Sequence, residues 1–139
     1  MNAKDYLQQI KKISIELAML EREINDMYSP IKAVSYGNVP GTPDFDATLH
    51  IVERIDYLQK QYSRQMEELT EKRKQCVDVI MRMQNEAAEK VIYLRYVKFK
   101  SYGFIAREMS YSKGRIMQLH REGLKEIDNI LATLHIITL

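Results

Sequence analysis

The sequence predicts an all-α protein in two parts: a long N-terminal antiparallel coiled-coil helical hairpin over residues 1–84, and a compact helical unit over 85–139. Three observations lead there. The 139 residues hold only five Gly and three Pro, so long uninterrupted elements are expected. Apolar residues recur at steps of three and four along both of the first long segments, the spacing of a helical seam. The composition, with eight Met, no Trp and abundant Gln, Glu, Lys and Leu, favours helix over strand.

The first seam runs Tyr6, Ile10, Ile13, Leu17, Leu20, Ile24 and Met27, with charges such as Lys11, Lys12, Glu16, Glu21 and Glu23 between. It predicts one helix about 40 Å long. Pro30 is expected to stop it, because the ring blocks the ladder and disfavours helical backbone at Ser29. Residues 29–42, with Pro30, Gly37, Pro40 and Gly41, read as a long loop. A second helix restarts at Thr42 as cap, with Pro43 in the first turn and Asp44 and Asp46 at the positive end of the dipole.

The second seam is Ile51, Ile55, Leu58, Tyr62, Met66, Leu69, Arg73, Cys76, Ile80 and Met83, with one stutter at Tyr62–Met66. Arg73 is its outlier, with a stem able to pack while the guanidinium reaches water. Neither helix can bury its stripe alone, which is the reason for the hairpin. The far end of the second helix, with Cys76, Ile80 and Met83, is expected to outreach the first. It then needs cover from residues 130–139 or from another subunit, and a homodimer is the expected assembly.

Charge is placed unevenly. Residues 90–121 hold eight bases (Lys90, Arg95, Lys98, Lys100, Arg107, Lys113, Arg115, Arg121) and one acid, Glu108, a local charge of +7 in a chain of net +2. A concentrated basic segment on a near-neutral scaffold suggests a polyanion site. Within it, Ile105, Ala106, Met109, Ile116 and Leu119 are spaced as the core face of two short helices crossing at a turn over 109–112. Ser112 is a good N-cap for the second of them, and Ser110 stands where such turns often carry Gly. Gly123 shares a face with Ile116, Leu119 and Ile127 and is read as a close-packing position. Tyr93, Tyr96, Phe99, Tyr102, Phe104 and Tyr111 cluster here, and the tyrosines among them are read chiefly as core packing with a wet hydroxyl, stacking on bases being the alternative.

This is the pattern of a helix-turn-helix, and the stretch VIYLRYVKFKSYGFIAREMSYSKGRIMQLHREGLKEI resembles region 4 of the bacterial sigma-70-type factors. The resemblance rests on Leu94-Arg95-Tyr96, Ile105-Ala106, Ser112, Arg115-Ile116 with Gln118-Leu119, and Leu124. A long coiled-coil N-terminus ahead of such a module is similar to small prophage transcriptional regulators of the ArpU and RinA types, thought of as activators of late or packaging genes. The resemblance implies that the second helix enters the DNA major groove, with Ser112, Lys113, Arg115, Gln118 and Arg121 at the matched surface positions. Nothing like a promoter-melting region is present, which argues against a complete sigma factor.

The side-chain chemistry agrees with that placement. The Gln118 amide suits adenine N6 and N7, Lys and Arg suit phosphates or guanine O6 and N7, and Met117 suits a thymine methyl. Lys98 and Lys100 are candidate phosphate contacts or solvated lysines, and His120 is either a contact or a surface side chain. The expected function is a sequence-specific duplex-DNA-binding transcriptional regulator of phage late genes. Its expected partners are double-stranded DNA and a second copy of the chain, with RNA polymerase as a further candidate. The alternatives are a small-terminase-like DNA-recognition adaptor for packaging, and a non-DNA protein docking on RNA polymerase or a sigma factor.

Other functions find no support in the residues. His50, His120 and His135 lack metal-ligand spacing, and the single Cys76, on the seam, reads as a buried small apolar residue. No Gly-Lys-Ser/Thr follows Gly37 and Gly41, so no phosphate loop is expected. The sequence therefore predicts no enzyme, cofactor or metal. With neither a secretory h-region at the start nor an apolar span, it also predicts a cytoplasmic location without membrane contact.

Overall fold

A computed structural model of the chain describes residues 1–35 and 45–135. Among these the regular elements are helices: α1 (Ala3–Ser35), α2 (Phe45–Ile80), α3 (Glu86–Ile92), α4 (Tyr102–Met109) and α5 (Lys113–Thr133). A π-helical turn, Tyr93–Val97, continues α3. No helix among the described residues is long and apolar enough to cross a membrane.

The first helix is longer than its sequence suggests. It runs through Pro30 to Ser35, so the expected loop over 29–42 is helical for its first seven residues. Proline removes one amide donor, and the ladder resumes past it. The capping signals Thr42, Pro43 and Asp44, with the rest of that loop, lie outside the described residues; Asp46 sits in the first turn of α2. At its start α1 is capped by Asn2, whose Oδ1 accepts from the Asp5 amide at 2.9 Å. The Ala3 amide donates to Asp128 Oδ1 of α5 at 2.7 Å.

The chain forms two compact units, one of Met1–Lys12 with Thr70–Leu139, the other of Ile13–Leu69. In the smaller unit, Ile13, Leu17, Ile55 and Leu58 are buried. Leu20, Ile24 and Met27 of α1 are half-buried, as are Ile51, Tyr62 and Leu69 of α2. Tyr28 Oη accepts from Gln59 Nε2 at 3.0 Å. At the stutter Met66 turns outward, and Gln65 is drawn in, its Oε1 buried without a partner.

The larger unit has a denser core. Leu7, Ile10, Ile80, Ile92, Ile105, Ile116, Leu119, Ile127 and Leu131 are each fully buried. The seam residues Cys76, Ile80 and Met83 are buried within the chain, and, contrary to expectation, the second helix does not outreach the first. The first helix does reach them: Cys76 Sγ lies 3.9 Å from the Tyr6 carbonyl oxygen. Burial pushes the Cys76 thiol up to about 11, so it is an uncharged core side chain at neutral pH. Arg73 is exposed. Gly123 marks a close approach of α5 to α3, since a Cβ there would stand 2.7 Å from Ile92 Cγ1 and 3.5 Å from the Ala88 Cβ.

Candidate nucleic-acid interface

The basic segment folds as three short elements before a long one, and the helix starts that follow Asn85, Ser101 and Ser112 are set by side-chain caps. Asn85 Oδ1 accepts from the Ala88 amide at 3.2 Å, Ser101 Oγ from Phe104 at 3.1 Å, and Ser112 Oγ from Arg115 at 3.1 Å. Each cap satisfies an amide the helix itself leaves open. Between α4 and α5 the chain turns at Ser110, whose backbone is left-handed at φ 58 and ψ 38. That explains why a glycine is usual at such a point: a serine there bears a steric cost.

Ile116, Leu119, His120, Gly123, Ile127 and Leu131 define the inward face of α5. The opposite face carries Arg115, Gln118, Arg121 and Lys125, all exposed. Lys113 and Gly114 are exposed in the first turn, and Met117 is half-buried on the flank. Gln118 is held on both sides: Oε1 accepts from Arg115 Nη1 at 3.0 Å, and Nε2 donates to Glu122 Oε1 at 3.3 Å. Its amide is thus presented by a rigid helix with both polar atoms already ordered.

Lys98 and Lys100 form a second group, on the turn leading into α4. Lys98 Nζ lies 5.7 Å from the Tyr93 ring centre, and Lys100 Nζ lies 4.9 Å from that of Phe104. The Arg95 guanidinium stacks 4.2 Å above Tyr102 and donates from Nη1 to the Lys100 carbonyl at 3.1 Å. Between the two lysines, Phe99 is 45% exposed with a left-handed backbone at φ 57. A residue with a Cβ adopts that region at a cost of about 1–2 kcal/mol.

His120 is neither a contact nor a surface group. It is 7% exposed and stacks on Tyr96 with ring centres 5.6 Å apart, while Tyr102 meets it edge-on at 5.4 Å. Its Nε2 and the Tyr96 hydroxyl are 2.7 Å apart. Burial, with Arg95, Lys4 and Arg121 nearby, pulls the imidazole below its usual range. A neutral ring leaves Nε2 free to accept from the phenol. Burial likewise pushes Tyr96 up to about 12. A sequence with His120 one step from Leu119 holds the signal for this, since both fall on the inward side of α5.

Two features had no signal in the sequence: the left-handed Phe99, because phenylalanine is not a residue that marks such a conformation, and the nearness of α1 to the basic segment. Leu7, Gln8 and Lys11 of α1 line a small cleft with Arg95, Tyr96 and Phe99. Among the described residues no group of three or more His, Cys, Asp or Glu is placed to hold a metal ion. Comparison with protein families, characterised proteins and solved structures finds no match to this chain.

Proposed function

We propose that this chain is a sequence-specific duplex-DNA-binding transcriptional regulator of the small prophage type, in which α4, the turn at Ser110 and α5 act as a helix-turn-helix. The observation that carries the reading is the outward face of α5. A capped helix start projects Lys113, Arg115, Gln118 and Arg121 into solvent, over a buried floor of Ile116, Leu119 and His120. A helix that is rigid below and basic with an amide above is what the major groove admits and what base edges and phosphates bind. The long helices α1 and α2 then serve as a hairpin that joins two copies. Ile15, Met19, Val52 and Met66 leave apolar surface on the smaller unit, which a second hairpin covers.

The test is a titration of the full chain with a short duplex at rising salt. With four to six lysine and arginine side chains on phosphates, log K falls against log salt with a slope of about −4 to −5 per protomer. Affinity indifferent to salt contradicts groove binding and favours a protein partner such as RNA polymerase or a sigma factor.

A further inference from the structure

Phe99 combines a partly exposed ring with a strained backbone. It holds a ring 45% in water and sits in a left-handed backbone that glycine or asparagine adopts far more readily. The conformation is fixed by its neighbours. The Lys98 amide donates to the Tyr93 carbonyl at 3.2 Å, the Lys100 amide to that of Leu94 at 2.9 Å, and Arg95 Nη1 clamps the Lys100 carbonyl at 3.1 Å. The π-helical turn therefore ends by presenting one aromatic ring, pinned at its backbone, on a segment whose two neighbouring lysines turn to other rings, Lys98 to Tyr93 and Lys100 to Phe104.

Its surroundings say what the ring meets. The cleft beside Phe99 is lined by Lys11 and Arg95 together with Leu7, Gln8 and Tyr96, and none of these is a carboxylate. A ring flanked by cations, without acids, suits a strand whose phosphates are negative and whose bases offer flat faces. An apolar protein partner has no use for the charges on both sides.

We infer that Phe99, with Lys98, Lys100 and Lys11, forms a second nucleic-acid contact separate from the outward face of α5: the ammonium groups take phosphates, and the ring stacks on a base that has left its stack at a kinked step. The inference rests on the duplex-DNA reading above and adds to it a deformation of the DNA. A paired base inside a straight duplex cannot reach the ring, whereas an aromatic wedge at an unstacked step meets a base face directly.

The experiment compares two probes with the full-length chain: a short mixed-sequence duplex, and the same duplex with one unpaired fluorescent purine. The wild type binds the bulged probe more tightly and changes the fluorescence of the purine. Phe99→Gly removes the ring and the left-handed penalty together. It melts at the same or a higher temperature, yet loses about tenfold in affinity for the bulged probe along with the fluorescence change. Phe99→Tyr keeps both. Bulged-probe affinity and fluorescence unchanged in Phe99→Gly overturn the inference alone, as does a lowered melting temperature with binding intact. A wild type that binds neither probe overturns the duplex reading with it.

Discussion

The two compact units differ in how completely their helices are covered. In the smaller unit, over residues 13–69, the inward stripe grades from buried Ile13, Leu17, Ile55 and Leu58 to half-buried Ile24, Met27 and Ile51, and apolar side chains such as Met19 and Val52 stay in water. In the larger unit helices from several directions close over the core, and Ile105, Ile116, Leu119, Ile127 and Leu131 are each sealed at 0% exposure. The difference follows from geometry: two helices side by side cover each other along one stripe only, whereas a third and fourth helix cover the remaining faces. Stability intrinsic to the chain is therefore concentrated where the short helices are.

The largest effect that sharpens this contrast comes from truncating that sealed core. Ile116→Ala removes a fully buried branched side chain and is expected to cost about 2–5 kcal/mol. Leu20→Ala, at a half-buried position of the smaller unit, should cost distinctly less. Denaturant unfolding of both variants measures the difference, and equal losses break the comparison.

Next comes the tight contact between α3 and α5. Gly123→Ala places a methyl group 2.7 Å from Ile92 Cγ1, and overpacking of this kind costs about 1–3 kcal/mol. Adding Ile92→Val, which removes the Cδ1 atom 3.1 Å from the new methyl group but keeps Cγ1, should recover a minor part of that loss. A double-mutant cycle with strictly additive losses shows that the two residues do not share the contact.

A smaller effect is expected from pH. The folded state holds His120 below the ordinary 6.5, first through burial and then through Arg95, Lys4 and Arg121. As pH falls, the unfolded chain takes up the proton first. The stabilising contribution is complete above about 6.5 and is lost as pH drops from there toward the folded value. The charged groups near the ring, Arg95, Lys4 and Arg121, are cationic and all act in the same direction as burial. Melting temperature followed from about pH 7 to pH 5 should fall for the wild type, and fall less for His120→Asn. Identical slopes exclude His120 as the origin.

Much of the helical framework was legible because periodicity survives in any helix that buries one face. The seam from Tyr6 to Leu17 and the inward set Ile116, Leu119, Gly123 and Ile127 are packed as their spacing predicts. What periodicity does not encode is tertiary reach. Pro30 carries a strong local stop signal, yet the helix passes it. By sequence alone Cys76, Ile80 and Met83 need cover from residues 130–139 or from another subunit, because sequence does not say that Tyr6 lies beside Cys76. The sequence reading of His120 as a contact or a surface side chain leaves the core unweighed, because its partners Tyr96 and Tyr102 come from other elements. At the candidate site, the exposure of Lys113, Arg115, Gln118 and Arg121 follows from the helix phase alone, whereas the strained ring at Phe99 depends on hydrogen bonds closed by the turn around it.

The central claim, that α5 reads DNA through its outward face, is tested most directly by selecting duplexes from a random-sequence pool with the wild type and with Gln118→Ala. Gln118 gains little from a phosphate, while a bidentate base contact is worth about 1–3 kcal/mol of discrimination. The account predicts that the wild type enriches one motif, that Gln118→Ala loses preference at one position of it by about tenfold, and that Lys113→Ala weakens every sequence alike. A wild type that enriches no motif, or a Gln118→Ala variant that selects the same motif unchanged, contradicts it.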